Sequence, residues 1–242
     1  MKLIELVFRR DTLAPLLALT FASAVAVALV AARIAVTHHL RYGLLVWNLI
    51  LAWMPLLFAM LAREQFKNGL KGNWRFAGAA GAWLLFFPNA PYIFTDIIHL
   101  HVGSFRHYWV DLTLILIFAL TGLVLGFLSL YLMHSLARQV WGGLRSWLFV
   151  LAVTALSGFG IYLGRVLRFN SWDVLVKPVK LIQGVSSWAG NPLADSSTWA
   201  FPVLYAMFLF LAYVMLYALT HLPQMHTLPA TIAGDELNPT PA

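Results

Sequence analysis

The chain has 242 residues, 61% of them hydrophobic and only 10% charged, whereas a soluble globular domain carries about a quarter charged residues; this composition belongs in a bilayer. The net charge of +7 sits at the ends of apolar runs and not on a soluble face, so membrane topology accounts for it and nucleic acid is not expected as a partner. Without a cysteine there is no disulfide framework, thiolate metal site or cysteine nucleophile, and any chemistry falls to His, Asp, Ser, Lys and Arg.

Apolar windows of the ~18–23 residues needed to cross ~30 Å of hydrocarbon occur near 13–32, 43–62, 76–95, 110–132, 147–164 and 199–220. They predict an all-α integral membrane protein with six transmembrane helices in one domain, residues 1–222. The first window is flanked by Arg9, Arg10 and Arg33, has no clear A-x-A cleavage site and precedes five more, so it reads as a span and not as a cleaved signal peptide. His38 and His39, in the loop that follows, have no partner pattern and read as surface residues. The next loop, "REQFKNGLKGNWR", is compact and basic and votes for the inside. With both termini cytoplasmic, nine Lys and Arg fall inside and seven outside.

The third window ends in "FPNAPYIFTDIIHLH", Phe87 to His101. Twelve residues, Phe76 to Phe87, precede the first proline and cover only ~18 Å as a helix, which puts a break inside the membrane. Pro88 and Pro91 cannot donate to the carbonyls of Leu84 and Phe87, and each disfavours α geometry in its predecessor, Phe87 or Ala90. Orphan carbonyls in hydrocarbon cost several kcal/mol each unless protein or water meets them, so this stretch should face other helices or a wet cavity, with Asn89 as a partner. A plain proline kink satisfied by neighbouring helices is the other reading. If Thr95 caps a short helix, Asp96 and His99 share one face, ~60° apart. Together with His101 they form a candidate ligand set for one divalent metal ion, and Asp96 with His99 equally a general-base pair. An interfacial Asp at a helix start with histidines facing water is the bland alternative. His107 lies in the same outer loop.

Asp111 opens the fourth span, where the helix dipole favours its charge with or without a function. His134, near the inner end of that span, reads as a surface residue. The fifth span ends in "GIYLGRVLRFNSWD", Gly160 to Asp173. Arg165 and Arg168, spaced i and i+3, would project from one helix face at the level of Asp96, where guanidinium forks suit the phosphate of an anionic lipid headgroup. Alternatively one Arg pairs with Asp96, Asp111 or Asp173 and pins the outer helix ends together. Asn170, Ser171 and Asp173 read as helix-exit and turn residues. Residues 174–189 alternate apolar residues with Lys177, Lys180 and Gln183, and Pro178 suits a first helical turn, predicting a short amphipathic segment on the outer surface between spans five and six. Residues 223–242 carry four prolines and no Lys or Arg and read as a disordered tail.

The segments "FPNAPYIFTDIIHL", "YWVDL" with "GFLSLY", and "GIYLGRVLRFNSWD" together resemble the bacterial multi-pass membrane family catalogued as domain of unknown function 1361, over roughly residues 25–220. The resemblance implies a polytopic protein of the bacterial cytoplasmic membrane and names no activity. Three functions are compatible with these residues. In a hydrolase or transferase acting on a lipid or lipid-linked phosphate at the outer leaflet, Asp96 and His99 would bind metal or activate water. Asp111 or Asp173 would complete the site, and Asn89, Arg165, Arg168 and Asn170 would hold the substrate. A transporter would use the broken helix as its site, and a non-catalytic scaffold or assembly factor would use the same charges as structural pairs.

Overall fold

The structure, a computed structural model, describes residues 10–38, 40–69, 73–99, 105–169, 171, 173–190 and 196–220; the tail at 223–242 lies outside them. The described residues form helices joined by short turns, and no strand occurs among them. Four long helices come from strongly apolar sequence: α1 (Arg10–Thr37), α2 (Gly43–Lys67), α5 (Phe105–Trp141) and α6 (Gly143–Arg165). Between α2 and α5 lie α3 (Trp74–Phe86), the single turn α4 (Asn89–Tyr92) and a 3₁₀ segment, Ile93–His99. After α6 come α7 (Asp173–Val176), α8 (Pro178–Gly190) and the long α9 (Ser196–Thr220).

Five helices, α1, α2, α5, α6 and α9, are long and apolar enough to cross a membrane. The window expected as a third crossing holds no single helix of that length, because hydrogen bonding changes at the prolines. The expected conformational break is corrected in kind: Phe87 and Pro88 keep right-handed helical angles, with φ −54°, ψ −41° and φ −60°, ψ −23°. Ala90 too is helical. Proline therefore changes the bonding pattern here and does not throw its predecessor into an extended conformation. The carbonyls around the change find other donors, as burial in an apolar bundle requires. Asn89 Nδ2 donates to Phe86 O at 3.0 Å and Ala90 N to Phe87 O at 3.2 Å. Tyr205 Oη, from α9, donates to Pro91 O at 2.7 Å.

The long helix α5 is the centre of the bundle and packs against α1, α2, α4, the 3₁₀ segment and α6, while α9 lies on α6. Its 37 residues reach roughly 55 Å, more than one hydrocarbon thickness, so it either tilts or extends beyond the hydrocarbon. Ile115, Phe118, Leu125 and Leu130 of α5 are buried in one core with Leu56, Trp83, Ile93, Ile161 and Leu209. Indole donors inside the bundle have hydroxyl partners: Trp53 Nε1 donates to Ser23 Oγ at 3.1 Å and Trp83 Nε1 to Ser129 Oγ at 3.2 Å. The turn from α5 into α6 is tight because Gly142 takes φ +83°, a conformation open to glycine without a Cβ clash.

The proline-containing stretch is seated between two glycine faces. A Cβ at Gly122 would come within 2.6 Å of Ala90 O, and one at Gly160 within 2.9 Å of Pro88 Cγ. Gly122→Ala is therefore expected to lower stability by about 1–3 kcal/mol through overpacking against backbone. Gly78→Ala, on α3 with open space around it, should be neutral or gain up to ~1 kcal/mol from helix propensity. Denaturant unfolding in detergent micelles compares the two.

Candidate functional site: the polar cluster at Asp96

Thr95 does not cap a new helix. It lies inside the 3₁₀ segment, and its hydroxyl donates back to Tyr92 O at 2.7 Å. At three residues per turn, this segment turns Asp96 into the bundle, where it is 5% exposed. Arg165 Nη2 meets Asp96 Oδ1 at 2.6 Å, and Asn48 Nδ2 donates to Asp96 Oδ2 at 2.8 Å. Arg165 Nε donates to Thr95 Oγ1 at 3.0 Å, and its guanidinium carbon stands 4.7 Å from the centre of the Tyr92 ring, within cation–π reach. One carboxylate thus joins α2, the 3₁₀ segment and the end of α6. The buried positive charge is matched by a buried negative one, so the cluster is neutral as a unit.

The other expected site residues are distributed differently. Asp111 forms a fork-to-fork pair with Arg33, Nε to Oδ1 at 2.7 Å and Nη2 to Oδ2 at 3.2 Å, which ties α1 to α5. Asp173, 4% exposed, has Lys177 Nζ at 3.7 Å, one turn along the α7–α8 segment. Arg165 and Arg168 do not share a helix face, because α6 ends at Arg165. Arg168 takes φ +58° and is exposed, and the Phe169 amide returns to Leu163 O at 3.0 Å, a left-handed helix exit. Asn89 donates to Ser171 Oγ at 2.8 Å as well as to Phe86 O. His101 and Asn170 lie outside the described residues, as does the side chain of His99. Among the described residues no three His, Asp or Glu side chains gather as a metal-binding group.

The pairing at Arg33 sets a smaller expectation. Arg33→Ala should loosen α1 from α5 while leaving the Asp96 cluster intact, so protease should reach α1 before the rest of the bundle, a difference visible in limited proteolysis.

His134 was misplaced by sequence reasoning. It is 2% exposed, not a surface residue. Its Nδ1 lies 2.9 Å from Tyr213 Oη and its Nε2 3.2 Å from Ser146 Oγ, and Trp147 meets it edge-on with ring centres 4.8 Å apart. A signal was present: an ionisable residue within so long an apolar helix is expected to face the bundle and find partners, and Tyr213 and Tyr217, four apart, form a hydroxyl-bearing stripe on α9.

Beside the Asp96 cluster a cavity of about 420 Å³ lies between α2, α3 and α6. Asn48, Asn89, Tyr92 and Ser171 supply its polar lining, and side chains such as Leu51, Leu85 and Phe159 its apolar walls. Asn48 and Tyr92 belong to both features, so one face of the cavity is the back of the ion-pair cluster.

Apolar helices of crossing length around buried, paired charges define the class: an all-helical transmembrane protein. The chain belongs to the family described as "Protein of unknown function (DUF1361)", whose model matches residues 47–218 and so takes in the Asp96 cluster, the cavity and His134. No curated protein and no solved structure matches the chain.

Proposed function

We propose that the protein is a non-catalytic scaffold of the plasma membrane in which the Asp96–Arg165 pair links the proline-containing segment to α2 and α6. The observation that carries this reading is the engagement of both Asp96 carboxylate oxygens, one by Arg165 and one by Asn48. Each oxygen retains a further lone pair, but the Arg165 guanidinium already neutralises the charge that would attract a metal ion. Asp111 and Asp173 have their own cations, on different elements, which favours structural pairing over a convergent hydrolase or transferase site. A double-mutant cycle of Asp96→Asn and Arg165→Gln, read by unfolding in detergent, tests the reading; additive effects would refute it.

Six crossings with both termini in the cytoplasm are part of the same proposal. Right-handed helical geometry continues through Pro88, and the path from Trp74 to His99 spans roughly 40 Å at α and 3₁₀ rises, enough for ~30 Å of hydrocarbon. Because the chain contains no cysteine, single cysteines report sidedness without background. His38→Cys and Arg168→Cys should react with an impermeant maleimide on intact cells, and Asn68→Cys and Gly143→Cys only after lysis. Labelling of Gly143→Cys from outside would reduce the crossings to five.

A further inference from the structure

We infer that the cavity between α2, α3 and α6 is a binding site for a membrane lipid with an uncharged, hydroxyl-bearing headgroup, of the diacylglycerol type, entering sideways from the bilayer. Three observations carry it. The size, about 420 Å³, falls within the ~300–1,000 Å³ typical of small-molecule sites, and apolar walls with a few convergent polar groups are the usual composition of such sites. It accommodates a glycerol headgroup and the start of one acyl chain, the remainder lying along the protein in the bilayer.

The second observation is the mouth. Trp47, Leu84 and Leu156, from three different helices, line the cavity and are 50%, 37% and 53% exposed. On helices surrounded by hydrocarbon such side chains face acyl chains, so the opening is continuous with the lipid phase. Leu181 of α8 also lines the cavity, and α8 is held against the end of α6: a Cβ at Gly184 would stand 2.9 Å from the Phe169 ring. The amphipathic helix therefore sits at the same end as the polar lining, where the headgroup would lie.

The third observation is charge. Among the described residues the polar side chains of the lining are two amides, a phenol, a hydroxyl and the Trp47 indole, none of them charged. The neighbouring guanidinium of Arg165 is directed to Asp96 and Thr95, so the cavity has a neutral wall where a phosphate would require a cation. Ser171 Oγ accepts from Asn89 Nδ2 and spends none of its donor capacity on that bond, while Asn89 retains a carbonyl oxygen as acceptor. A donor and an acceptor side by side suit a free hydroxyl next to an ester carbonyl. The inference goes beyond the scaffold reading: Asn48 and Tyr92 border both features and the neutral wall rests on the Arg165–Asp96 pair, whereas the proposed headgroup contacts, Asn89 and Ser171, lie outside that pair.

The test is native mass spectrometry of the detergent-purified full chain titrated with dioleoylglycerol and, separately, dioleoylphosphatidylglycerol. One dioleoylglycerol per chain should bind, at least tenfold tighter than the phosphatidylglycerol. Gly81→Leu fills the site from α3, where a Cβ meets open space, and should reduce binding at least tenfold. Ser171→Ala should weaken it roughly fivefold, as for one neutral hydrogen bond. As a readout that needs no packing change, dioleoylglycerol with brominated chains should quench wild-type tryptophan emission more than that of Trp47→Phe. Absence of saturable binding, equal binding by Gly81→Leu, equal quenching in Trp47→Phe, or a preference for phosphatidylglycerol would each overturn the assignment.

Discussion

Asp96→Asn and Arg165→Gln are each expected to destabilise the protein by about 3–5 kcal/mol, the cost of leaving one member of a buried ion pair without its counter-charge. The magnitude follows from burial: the two side chains are only 7% and 15% exposed, so water cannot replace the lost partner. Arg165 would keep Thr95 and the Tyr92 ring, which neutralise nothing, and Asp96 would keep the Asn48 amide, which offers a hydrogen bond without a charge. The double variant should recover at least half of the summed loss, because two amides in place of two ions remove the unpaired charge. Reversing the pair, Asp96→Arg with Arg165→Asp, should also recover part of it, with the Asn48 amide turned to present its oxygen. Unfolding monitored by intrinsic fluorescence in one detergent at fixed salt measures all four. Single variants within ~1 kcal/mol of wild type would show that the pair contributes little and remove the observation on which the scaffold reading stands.

The second large effect is expected at the opposite end of α5. Ser146 Oγ donates its one hydrogen to Gly143 O at 2.6 Å, so toward His134 it can only accept. Nε2 must then carry the ring proton, and Nδ1 accepts from the Tyr213 hydroxyl. Every polar atom of this buried cluster has a defined role. His134→Leu leaves the Tyr213 hydroxyl without its acceptor and Ser146 without a donor, at ~1–3 kcal/mol for each buried group stranded. A net loss of about 2–4 kcal/mol is expected. Tyr213→Phe together with His134→Leu should cost less than the sum of the singles, since the phenol is no longer stranded. If His134→Leu melted within a degree of wild type, the cluster would be dispensable packing. Because this aromatic group joins the C-terminal part of α9 to both α5 and α6, loss of His134 should also speed amide exchange in that part of α9 relative to its Gly158-packed start.

Several features were legible in the residues. Apolar run length identified the five long helices, since a chain that cannot hydrogen-bond to lipid must satisfy its backbone internally. Pro178 stands at the first position of α8, where its missing N–H costs nothing. Asp96 was singled out for its spacing to His99 after the proline-containing stretch, and Arg165 for its spacing to Arg168 at the same membrane level. Their mutual pairing was one of several open options, as was a partner at Asp111 or Asp173. Sequence spacing erred where local rules were applied past a helix end. The i, i+3 spacing of Arg165 and Arg168 implies a shared face only if the helix continues, and it stops at Arg165. The rule against α geometry before proline was likewise overridden at Phe87, which is 1% exposed and packed against Trp83 with ring centres 5.3 Å apart.

By itself, then, the sequence determined that this is an all-helical transmembrane protein and where its long helices run, because hydrophobicity and helix length are properties of consecutive residues. Only the tertiary structure decided which carboxylate meets which cation, that Asn48 completes the Asp96 cluster, that His134 is buried between Tyr213 and Ser146, and that Asn89 and Ser171 line a cavity. Those contacts join residues from 12 to 82 positions apart. They depend on how helices rotate and pack against one another, and glycine notches such as Gly122 and Gly160 determine how closely the proline-containing segment can approach.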